Sequence, residues 1–84
     1  MDRTFKTGDI IKNLWMSDTN HLQKCLFVKY NSTAILVGVS KEDKLYLSHI
    51  TTRDIKYMEH DEEHYVKIGH CDLVENIKSL LSNY

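Results

Sequence analysis

The stretch Gln23-Lys24-Cys25-Leu26-Phe27-Val28-Lys29-Tyr30-Asn31-Ser32-Thr33-Ala34-Ile35-Leu36-Val37-Gly38-Val39-Ser40 decides the fold. From Gln23 to Tyr30 the residues alternate, with Leu26, Val28 and Tyr30 on one side and Cys25, Phe27 and Lys29 on the other, which is the period of a strand. Thr33 to Ser40 is rich in β-branched residues and too short for a helix of ordinary length. Asn31-Ser32 between them reads as the turn of a hairpin.

Toward the N-terminus, the breaker Thr7-Gly8 precedes a strand over Asp9 to Met16, and Ser17-Asp18-Thr19-Asn20 forms a loop of small polar residues that satisfy their own backbone. Toward the C-terminus, the charged turn Lys41-Glu42-Asp43 leads into Lys44 to Ile50, where Leu45, Leu47 and His49 share a face. The second, third and fourth strands therefore form a meander. Thr51-Thr52-Arg53 interrupts, Asp54 to His60 reads as another extended piece, and Asp61-Glu62-Glu63 is a solvated turn before a strand over His64 to His70. In that strand Gly69 marks a bulge or a close backbone approach. Asp72-Leu73-Val74-Glu75 has the form of a capping box, and Leu73, Ile77, Leu80 and Leu81 fall on one stripe of the helix expected to follow.

These elements predict a single domain over residues 1–84, mainly β: a small curled antiparallel sheet or a partly open barrel of five to six strands with a C-terminal helix. The opening Phe5-Lys6-Thr7-Gly8-Asp9-Ile10-Ile11 resembles the first strand of SH3-like barrels, where a Gly-Asp pair commonly precedes the apolar strand. The order of strands is similar to that of small phage and prophage accessory proteins built on such barrels. The resemblance implies a small accessory protein that binds and modulates a host factor; it carries over no functional residue.

Composition narrows the function. At 84 residues the chain is too short for a large enzyme, and a formal charge of −1 lacks the basic excess usual in proteins that live on nucleic acid. Residues 1–50 carry seven positive and five negative side chains and residues 51–84 four and seven, so the back of the chain is mildly acidic. With Ala34-Ile35-Leu36-Val37 as the longest apolar run, a soluble cytoplasmic protein is expected, with Cys25 and Cys71 as reduced thiols.

Among the chemical residue types, His60, His64, His70 and Cys71 have metal-ligand character, but no Cys-x-x-Cys accompanies them and no metal or other cofactor is expected. His60, His64, Asp61, Glu63 and Lys67 are acid–base residue types without a motif that makes them a catalytic site, and no catalytic residue is assigned. Aromatics carry the reading further. Phe27 and Tyr46 lie opposite the apolar face of their strands and Trp15 borders a loop, so they either pack under a covering element or stack on a partner. The expected partner-binding surface comprises Trp15, Phe27 and Tyr46, with Asp61, Glu62 and Glu63 steering a basic protein partner. A barrel using the same aromatics with Lys12, Lys24, Lys29 and Lys44 to hold single-stranded nucleic acid is the alternative. Because Ala34 to Val39 is apolar on both faces, one face is expected under the helix and the other against a second copy in a homodimer.

Overall fold

The computed structural model describes residues 4–42 and 44–70. Five strands and one helix follow one another as β1 (Asp9–Asn13), β2 (Lys24–Tyr30), β3 (Thr33–Val39), β4 (Leu45–Ile50), α1 (Thr52–His60) and β5 (Tyr65–His70). The strands form one antiparallel sheet in the order β4-β3-β2-β1-β5. The meander is present as expected, and β1 joins it beside β2. Among the described residues the sheet is not closed into a barrel: β4 and β5 end it as separate edges.

The β2–β3 hairpin is closed by Asn31-Ser32 with Tyr30 paired to Thr33, and Asn31 takes a left-handed φ of 54° that asparagine tolerates better than most residues. The Thr33 hydroxyl donates to the Tyr30 carbonyl at 3.0 Å and locks the turn.

The helix stands where the sequence suggested an extended piece. Thr51 caps it, with its hydroxyl accepting from the Asp54 amide while the Asp54 carboxylate accepts from the Thr51 amide, a complete capping box. Ile55 and Met58, three residues apart, are the buried side of the helix. Thr52 also donates its hydroxyl to the Ser32 carbonyl, tying the helix start to the hairpin turn. The helix expected at residues 72–81 lies outside the described residues.

By placing α1 on one face of the sheet, this arrangement explains a second correction. Phe27, expected either under a covering element or on the partner-binding surface, is not on that surface: it is completely buried with Phe5, Ile11, Ala34, Ile55 and Met58. Its ring meets Phe5 edge-on at 5.8 Å between centroids. Alternation along β2 was read correctly, but both of its faces are interior. On the other face Ile10, Leu26 and Val37 form a second cluster with Val28, Ile35 and Val39 around it. On that face of β3 Val37 is 4% exposed, whereas Ile35 and Val39 beside it are half-buried.

Cys25 is buried as a free thiol, and burial pushes its pKa up to about 12, so it stays protonated and inert at neutral pH. Among the described residues no helix is long and apolar enough to cross a membrane.

Candidate functional site

Two carboxylate–histidine pairs stand out, one between β1 and β5 and one in the turn before β5. In the first only the carboxylate is buried, and its side-chain partners reach it from the surface. Asp9, fully buried on β1, accepts at Oδ1 from His70 Nδ1 at 2.6 Å and faces Lys67 Nζ at 3.4 Å, while its Oδ2 accepts the Lys6 amide at 2.8 Å. Strict alternation would put residues 67 and 70 on opposite faces. A bulge at Ile68, where the register steps from Gly69 opposite Ile10 to Lys67 opposite Ile11, turns both toward Asp9. Gly69 therefore borders a bulge, one of its two expected roles. Burial pushes the Asp9 pKa up, but the Lys6 amide, His70 and Lys67 outweigh it and hold the carboxyl below its ordinary value.

The second pair is at the surface and involves Trp15. β1 ends at Asn13, whose side-chain oxygen accepts the Trp15 amide at 2.9 Å, and the Leu14 amide donates to the His64 carbonyl at 2.7 Å. The chain after β1 is thereby strapped to the turn before β5. Asp61 ends α1 by donating its amide to the Tyr57 carbonyl at 3.1 Å, and its own carbonyl accepts the Tyr65 amide at 3.0 Å. Its carboxylate holds two rings at once: His64 Nδ1 is 2.9 Å from Oδ1, and Trp15 Nε1 donates to Oδ2 at 3.0 Å. The two rings stack at 3.8 Å with 23° between their planes.

The result is an indole fixed in place while 60% exposed. An exposed tryptophan normally samples several rotamers; here one face lies on imidazole and the ring nitrogen is bonded, leaving much of the ring presented to solvent. Desolvation pushes the Asp61 pKa up, but the bonds from His64 and Trp15 outweigh it and keep the carboxyl below its usual range, so it is ionised at neutral pH. Exposed Glu62 and Glu63 extend the negative charge along the same turn. Leu14 is 47% and Tyr57 57% exposed, and Tyr57 packs edge-on against Tyr65.

Trp15 and the Asp61–Glu63 turn, distant in sequence, are thus brought together, whereas Phe27 is in the core and Tyr46 belongs to the other edge strand. There Tyr46 stacks on His21 at 3.6 Å. The loop carrying His21 comes so close to β3 that a Cβ on Gly38 would collide with the His21 carbonyl oxygen. His64 is the surface residue that the aromatic pattern missed. Its signal was the spacing Asp61-x-x-His64 across a turn, which was weighed for acid–base chemistry but not as a support for Trp15. Lys67, weighed in the same group, goes to Asp9 instead. Among the described residues, His, Cys, Asp and Glu form no group of three or more able to hold a metal.

No family model, curated protein or solved structure matches the chain.

Proposed function

We propose that the protein is a non-enzymatic interaction module that docks a basic protein partner on the surface built by Trp15, His64 and Asp61 and extended by Glu62 and Glu63. The observation that carries this reading is the fixed, 60% exposed indole bonded to a carboxylate. Immobilising a large amphipathic ring before binding removes part of the ordering cost of association. An arginine or lysine of the partner gains from the face of the indole and from the neighbouring carboxylates together. Its action on the partner is steric, by occupying a surface. Negative charge beside the ring also argues against nucleic acid as the ligand, since phosphates would be repelled.

Trp15 is the only tryptophan of the chain, so its emission reports on the surface directly. Titration with a Lys/Arg-rich peptide should change the emission saturably and more weakly as salt rises. Charge reversal of Glu62 and Glu63 to Lys should abolish that response. A response to random-sequence RNA or DNA that survives or strengthens in the charge-reversed variant, with none to the peptide, would overturn the proposal in favour of nucleic acid.

A further inference from the structure

The two edges of the sheet are built differently. β5 is interrupted by the bulge at Ile68 and carries Lys67 in its middle, two devices that discourage pairing with another strand. β4 has neither. Leu45-Tyr46-Leu47-Ser48-His49-Ile50 pairs with β3 through six consecutive residues without a register shift and contains no Lys, Arg, Asp, Glu or Pro. Among the described residues no strand pairs with its outer edge. A cross-strand row runs to this edge from inside the sheet: Ile10, Leu26, Val37 and Leu47 are successive partners with exposures of 0%, 0%, 4% and 60%. Its neighbour Leu45, paired with Val39, is 49% exposed.

We infer that β4 is the edge at which a second copy of this chain adds, antiparallel, with Leu47 of one copy against Leu47 of the other across a two-fold axis. Only registers that pair residues of like parity keep the two sheets facing the same way, and the one centred on Leu47 continues the apolar row without a break. It sets Tyr46 opposite Ser48 and Leu45 opposite His49. Charge favours a copy of the same strand over an unrelated one. Self-pairing brings central residues against themselves or near neighbours, where a charge would repel its own duplicate, and Tyr46-Leu47-Ser48 carries none. The nearest charges lie outside the strand, Lys44 before it and Arg53 and Asp54 after it. This replaces the face of β3 with the edge of β4 as the place of self-association. A single six-residue strand pair buries well under the roughly 1,200 Å² of a stable interface, so the dimer is weak and reversible.

Sedimentation equilibrium of the full chain, from about 10 µM to about 2 mM, tests this. The expected result is concentration-dependent dimerisation that Leu47→Lys weakens at least about tenfold and that Tyr30→Lys, at another exposed position, leaves unchanged. Circular dichroism checks that both variants fold. Independently, in a Cys71→Ser background, Leu47→Cys should give a disulfide-linked dimer under mild oxidation, while the background chain and Tyr30→Cys in it should not. A monomer across the whole range, or a dimer indifferent to Leu47→Lys, would overturn the inference.

Discussion

Asp9–His70 and Asp61–His64 are the same chemical pair placed in two environments. Each joins a carboxylate to a histidine Nδ1 within 3 Å. Around Asp9 the carboxylate is wholly enclosed, and a lysine and a backbone amide complete its bonding. Around Asp61 the pair lies on a turn, and the additional donor is an exposed indole. A buried carboxylate that loses its partners has no water to turn to, so the bonds to Asp9 hold β5 to β1. At the surface water competes for every bond, and the pair contributes position more than stability. Burial, not chemistry, makes one a clamp and the other a display.

The largest effect should therefore come from the interior. Asp9→Ala is expected to lower unfolding free energy by about 3 kcal/mol, because it removes three bonds to a buried carboxylate and leaves the Lys6 amide to find a new acceptor. Asp61→Ala should move the thermal midpoint far less. Similar shifts from both variants, measured by calorimetry, would erase the distinction drawn between the pairs.

The second test uses acid. Since the folded pKa of Asp9 is depressed, its stabilisation is fully present above the ordinary carboxylate pKa near 3.8 and is lost as pH falls through the lower folded value. Denaturation midpoints of the unsubstituted chain should fall steeply below about pH 4, and Asp9→Asn should start from a lower midpoint and flatten that limb. An unchanged acid limb in Asp9→Asn would show that other carboxylates dominate.

The contrast also marks what can be read from residues alone. Strands β2 and β4 were legible from their alternation, β3 from its β-branched content and β5 from the charged turn before it; β1 was found from the breaker Thr7-Gly8 but ends at Asn13 and not at Met16. α1 was misread although Thr51 and Asp54 spell its cap, since a nine-residue helix offers too few apolar positions for a period to emerge and Ile55 and Met58 suit a strand's edge as well. Phe27 followed from that error: without a helix over its face, alternation points it outward. Trp15 and the acidic turn were assigned to one surface by residue type, but the bond of the indole to Asp61 and its stacking on His64 were not legible, because they depend on β5 returning beside β1 from the far edge of the sheet. Asp9 was passed over for a similar reason. Its partners lie some sixty positions away and share its face only through the bulge.

The smallest expected effects are at the surface and are read in the indole rather than in stability. Asp61→Ala removes the acceptor of both rings, so Trp15 should lose its fixed pose, with emission shifted to longer wavelength and lower anisotropy. His64→Ala removes the stacked ring but leaves the bond from Nε1, and should produce a partial shift. Asp61→Asn keeps an oxygen able to accept from one ring at a time and should fall between the other two. That order, Asp61→Ala beyond Asp61→Asn beyond His64→Ala, follows only if the carboxylate is what holds the indole. Were stacking on His64 sufficient by itself, His64→Ala would shift the emission most, and the display would be an aromatic pair that Asp61 merely accompanies.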